Sequence, residues 1–116
     1  TAAGFLGNWF PPALLERAEP VVECFRAMLM ATNRHGLAGS FAAVRDTDLR
    51  AQLARIERPT LVIAGAYDTV TAASHGELIA TSIAGARLVT LPAVHLSNVE
   101  FPQAFEGAVL SFLGAA

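Results

Sequence analysis

Apolar residues recur at helical spacing along the first half of the chain and gather into short unbroken runs in the second. Within residues 11–56, Val21, Val22, Phe25, Met28 and Leu29 fall along one face of a 3.6-residue helix, and no stretch alternates with the two-residue period of a half-buried strand. Pro20 opens this helix, because a proline in the first turn gives up only an amide that has no helical partner there. The helix runs to about Thr32, and residues 33–36, Asn-Arg-His-Gly, supply the break, with His35 in a surface loop. Shorter helices are expected over 37–45 and 49–55.

From Pro59 the rhythm changes to strand, loop, helix, strand, loop, helix. Thr60-Leu61-Val62-Ile63-Ala64, bounded by Pro59 and Gly65, has the form of a parallel strand buried on both faces. A helix over about 72–83 returns the chain to Arg87-Leu88-Val89-Thr90-Leu91, and a loop over 92–96 leads into a last helix over 101–113. The fold class is therefore α/β, a helical segment (1–57) followed by a βαβα unit of a parallel sheet (58–116). Two parallel strands leave open edges and an uncovered face, so the remainder of the sheet is expected from elsewhere in sequence.

Composition agrees with a missing neighbour. A chain of 116 residues has room for one core, yet 53% of it is hydrophobic and only 16% charged, rich for a free-standing soluble domain. A membrane does not account for the excess: charge, Pro or Gly breaks every apolar stretch well before the roughly 20 residues a spanning helix needs. Nor do residues 1–10 read as a signal peptide, having no basic start before a continuous apolar run. The eight basic residues are all Arg and scattered, with a net charge of −2, which excludes a footprint for nucleic acid. The single cysteine, Cys24, cannot form an internal disulfide and reads as a core thiol of a cytoplasmic protein, among Val22, Phe25 and Met28.

Reacting groups in open parallel sheets collect beyond the carboxyl ends of the strands, and two residues stand there. Asp68 follows the first strand in Gly65-Ala66-Tyr67-Asp68, and His95 follows the second in Ala93-Val94-His95-Leu96. Taken singly, Asp68 fits a turn or helix cap and His95 a structural histidine. Adjacent parallel strands lie less than about 5 Å apart, however, so the two loops can bring a carboxylate to Nδ1 of the imidazole. A histidine held in that way has its tautomer set and its charged form stabilised, the requirement for a general base serving a serine or cysteine nucleophile. Acid before histidine on consecutive strand ends is also the chain order of α/β-hydrolases.

The nucleophile has no such position. No G-x-S-x-G elbow occurs in the sequence; Ala80-Thr81-Ser82-Ile83-Ala84 imitates it only inside the expected crossover helix, which excludes Ser82. Ser97 is expected to bind the loop backbone or cap the last helix, and His75 to lie solvated in the first turn of the crossover helix. No His or Cys cluster has metal-ligand spacing and no Gly-rich loop follows either strand, so neither a metal nor another cofactor is implied.

The residues from Arg58 onward, with Pro59-Thr60-Leu61-Val62-Ile63-Ala64-Gly65, Asp68 and His95-Leu96-Ser97-Asn98-Val99-Glu100, resemble the C-terminal fragment of an α/β-hydrolase, and more narrowly the 3-oxoadipate enol-lactonases of aromatic catabolism. Trp9-Phe10 and Ala42-Ala43-Val44-Arg45-Asp46-Thr47-Asp48-Leu49-Arg50 are similar to the cap segment of that family. The resemblance implies Asp68 as triad acid, His95 as general base and Trp9 as a cap residue near the substrate pocket. It also implies a small lactone or ester as substrate, no cofactor, and a missing N-terminal part of the same core carrying the serine. Asn8, where a basic residue is expected, and Ser40-Phe41, in place of a smaller pair, depart from the family pattern and bear on substrate choice. Another α/β-hydrolase, such as a carboxylesterase or cofactor-free haloperoxidase, fits the same triad, and a truncated binding module retaining both residues as relics is the non-enzymatic alternative.

Overall fold

A computed structural model describes residues 1–114 and contains eight helices and two strands among them. The helical half comprises α1 (Ala2–Trp9), α2 (Pro12–Glu16), α3 (Pro20–Ala31), α4 (Arg34–Asp46) and α5 (Arg50–Leu53). Helix α1 lies where the hydrophobic pattern pointed to no element. It is short, and its start rests on the Thr1 hydroxyl, which accepts a hydrogen bond from the Gly4 amide at 3.3 Å. Residues 33–36 are less a break than a cap. Asn33 Oδ1 accepts from the amides of His35 and Gly36, so α4 begins at Arg34 and His35 sits exposed in its first turn rather than in a loop.

The inward stripe of α3 is narrower than expected. Val22 is fully buried, with Val21, Phe25 and Leu29 partly buried beside it, whereas Met28 is half exposed. Cys24 is exposed and not a core thiol: it lies roughly 200° around the helix from Val22, and so faces away from the core. Val22 packs with Leu6 and Phe10 into the core of this half, and the surrounding shell includes Leu96 and Val99 from the far end of the chain. The helices are thereby fastened to the segment that follows His95.

The second half comprises β1 (Leu61–Gly65), α6 (Ala73–Ser82), β2 (Arg87–Leu91), α7 (Ser97–Glu100) and α8 (Pro102–Gly114). The strands pair in parallel, in register from Leu61 opposite Arg87 to Gly65 opposite Leu91. Helix α6 comes close to the sheet through Gly76, where a β-carbon would stand 3.0 Å from that of Ala64. The last helix stands where expected, Pro102 starting α8 in keeping with proline at a first helical position, and the short α7, which was not expected, turns the chain after His95.

The first strand has the pattern of one buried on both faces, in a sheet whose remainder is expected from elsewhere in sequence. Within this chain Leu61, Val62, Ile63 and Val89 are only partly covered and Leu88 is exposed, because the sheet has two strands among the described residues and is packed mainly by α6 and α8. Leu110 and Leu113 of α8 are likewise 68% and 62% exposed. These surfaces and two open strand edges favour association over solvation. Expressed by itself, the chain should therefore elute in size-exclusion chromatography as mixed oligomers and bind a dye sensitive to apolar surface. A monodisperse monomer with a cooperative melt would contradict this.

Candidate active site

The loops leaving β1 and β2 are stitched together by their backbones. The Ala66 amide donates to the Leu91 carbonyl at 2.8 Å and the Tyr67 amide to the Ala93 carbonyl at 2.9 Å, extending the parallel ladder past both strand ends. The approach is close enough to require glycine: a β-carbon on Gly65 would lie 2.2 Å from the Val94 carbonyl oxygen and 2.7 Å from that of Ala93. On the other side of the same loop, the Val94 amide donates to Glu100 Oε2 at 2.8 Å. The backbone just before His95 is thus fixed from two directions.

Asp68 turns its carboxylate into this seam, where the side chain is 5% exposed. Oδ1 accepts from the amides of Val70 at 2.7 Å and Thr71 at 3.0 Å. Oδ2 accepts from the Thr71 hydroxyl at 2.8 Å and meets His95 Nδ1 at 2.9 Å. Burial alone would push this carboxyl up, but the hydrogen bonds from His95, Thr71 and Val70 outweigh it and hold the group at about 2. An ionised carboxylate only accepts hydrogen bonds, so Nδ1 carries the ring proton and the Nε2 lone pair is left available as a base.

Asp68 and His95, expected to meet from their strand-end positions, are therefore in direct contact. They line a cavity of about 300 Å³ together with Thr71, His75 and Ser97. Four successive β1 residues, Val62 to Gly65, also line it, which places the cavity along the strand edge that β2 does not occupy. Ser97 is the first residue of α7 and caps neither terminal helix through a side-chain bond: the α7 cap position is Leu96, without one, and α8 begins at Pro102. Ser82 sits inside α6, its hydroxyl donating to the Leu78 carbonyl at 2.6 Å. His75 is exposed in the first turn of α6. Trp9 closes α1 within an aromatic cluster, its ring centroid 5.6 Å from Phe5 and 6.1 Å from Phe25, and does not line the cavity beside His95. The sequence pointed to Gly65 only as a strand boundary and to Glu100 only as part of a motif, and to Thr71 not at all. A hydroxyl three residues after a loop aspartate was the one available signal for Thr71.

No family model matches the chain. Solved structures do. A hydrolase from Pseudomonas aeruginosa PA01 is 98% identical, superposes with a TM-score of 0.95, and is matched over 97% of this chain and 43% of its own length. The enol-lactonase from Burkholderia xenovorans LB400 is 36% identical with a TM-score of 0.94, over 97% of this chain and 44% of its own. The fold is that of the C-terminal part of an α/β-hydrolase. Among curated proteins, 3-oxoadipate enol-lactonase 2 of Acinetobacter baylyi is 42% identical over 88% of this chain, which spans only 38% of that relative. In α/β-hydrolases the acid precedes the histidine in the chain, the order in which Asp68 and His95 stand.

Two outcomes follow from this geometry. Gly65→Ala should force the Asp68 and His95 loops apart, lowering stability by about 2 kcal/mol or more and lengthening the contact between the two side chains, as read by denaturant unfolding and a crystal structure. The depressed Asp68 carboxyl binds its proton less readily when folded than when unfolded, so its stabilisation of about 2 kcal/mol is present above pH 4 and is lost as pH falls towards 2. Unfolding of the complete hydrolase and of its Asp68→Asn variant across that window should show an acid-dependent loss larger by about 2 kcal/mol with the aspartate.

Proposed function

We propose that Asp68 and His95 are the acid and general base of a Ser–His–Asp triad in a hydrolase of small lactones or esters, with 3-oxoadipate enol-lactone as the substrate and aromatic catabolism in the cytoplasm as the setting. The observation that carries this reading is the 2.9 Å contact between a buried, ionised carboxylate and Nδ1 of a histidine on the neighbouring strand end. Support for the substrate comes from the similarity to the Acinetobacter baylyi and Burkholderia xenovorans enol-lactonases.

In this reading residues 58–116 are the end of the hydrolase core and residues 1–57 its cap. An N-terminal part of the same core completes the sheet along the open edge of β1 and brings the serine. His95 Nε2 removes the serine proton as the hydroxyl oxygen attacks the lactone carbonyl carbon, and Asp68 stabilises the imidazolium that results. When the tetrahedral intermediate collapses, the ring C–O bond breaks and His95 returns the proton to the departing enol oxygen. Water, deprotonated by the same nitrogen, then attacks the acyl carbon; the bond from that carbon to the serine oxygen breaks, and His95 returns the proton to the serine as the acid leaves. Trp9 is assigned as a cap residue near the substrate pocket on the resemblance of Trp9-Phe10 to the family's cap segment. No step calls for a metal or an organic cofactor.

The test is steady-state kinetics of the complete hydrolase on the enol-lactone and on aryl esters. His95→Ala should lower kcat by roughly 10⁴- to 10⁶-fold with KM little changed, and Asp68→Asn by about 10⁴-fold or less, through loss of the correct tautomer. The present chain by itself should show no turnover, since it contains no nucleophile elbow. Wild-type turnover in the His95 variant would refute the assignment. Activity confined to aryl esters would keep the triad and exclude the lactone, and a complete protein inactive on both would favour a binding module.

A further inference from the structure

The two oxygens of Asp68 are held differently. Oδ1 is taken by two backbone amides, those of Val70 and Thr71, which any side chain at position 71 other than proline would preserve. Oδ2, the oxygen that meets His95, also receives the Thr71 hydroxyl at 2.8 Å. The two amides hold Oδ1 only. The hydroxyl adds a donor on the oxygen whose electron density His95 draws on.

We propose that Thr71 is a positioning residue for the Asp68–His95 pair: by sharing Oδ2, its hydroxyl stops the carboxylate from turning and limits how strongly that oxygen holds His95 in the protonated form. This rests on the triad reading above. A donor on Oδ2 spreads the carboxylate charge over two hydrogen bonds, so less is left to stabilise an imidazolium. Remove the hydroxyl, and Oδ2 becomes the stronger partner of the ring. His95 then keeps its proton to higher pH, and the carboxylate gains freedom to rotate about its terminal bond.

Other ionisable groups around the pair are engaged elsewhere. Glu100 of α7 accepts from the Val94 amide, Glu23 and Arg26 of α3 pair with each other, and α1 carries no ionisable side chain. Arg87 opens β2, at the end of the strand away from His95, and lies over Phe112, while Glu106 of α8 lines a separate hollow with Phe105. Tyr67 is 67% exposed in the loop of Asp68 itself. His75 of α6 is the exception, because it lines the same cavity as His95.

The pH dependence of kcat/KM in the complete hydrolase separates these groups. Thr71→Val keeps the shape and the backbone amide while removing the hydroxyl; it should move the acidic limb of the profile upward by roughly 0.5 to 1 pH unit, about half the size of one hydrogen bond to a charged group because the effect reaches His95 only through the shared oxygen, and lower kcat several-fold with KM little changed. Thr71→Ser should restore both. The shift should persist in a His75→Gln background. Should Thr71→Val fold poorly, Thr71→Ala read by the NMR titration of the His95 ring must show the same upward displacement. An unmoved acidic limb, a shift that serine does not reverse, or one that vanishes with His75 overturns the role given to Thr71. Misassignment of the triad has a separate signature, full turnover in His95→Ala whatever stands at position 71.

Discussion

The parallel pairing of β1 with β2 continues one step beyond each strand, and the site hangs on that extension. Two amides, of Ala66 and Tyr67, keep donating to the second strand's segment after the regular ladder has ended. They bring the turn that contains Asp68 against the bend that contains His95 before any side chain is involved. The contact between the two side chains is thus short because the backbones beneath them are already in register. Gly65 is the local condition for it, since the space a β-carbon would fill is occupied by carbonyl oxygens of the partner loop.

A buried carboxylate at this place is an electrostatic problem, and the loop answers it locally. Desolvation works against the ionised form, and four donors, two of them amides from the same turn, reverse the balance. Such a group can act on its histidine without itself taking up the proton, the property an acid in this position needs. The arrangement is compact in sequence: one turn supplies every partner of Asp68 except the ring of His95.

Much of this was legible from the residues alone, for reasons that differ between the halves. The apolar runs bounded by Pro59, Gly65 and Pro92 marked both strands to within a residue, because runs of five residues ended by Pro or Gly and rich in Val, Ile and Thr are too short for helices. Asp68 and His95 followed from strand-end position. Helix α1 was hidden because eight residues rich in Ala and Gly carry one buried side chain, Leu6, too few for a periodic signal. Cys24 and His35 were misplaced for local reasons: the first needs a helical phase finer than a list of apolar neighbours, the second a reading of Asn33 as a cap and not a break. The bonds from Thr71 and Glu100 depend on loop conformation, which no periodicity encodes.

Leu96 and Val99, immediately after His95, pack into the cluster formed by Leu6, Phe10 and Val22. The helical half and the histidine-bearing loop consequently share one packed core, with no hinge of independent residues between them. A displacement of α1 and α3 must either open that cluster, exposing three fully buried side chains, or carry the segment behind His95 along with it. The position of the outer helices and that of the loop carrying the imidazole are thus tied through one cluster of side chains.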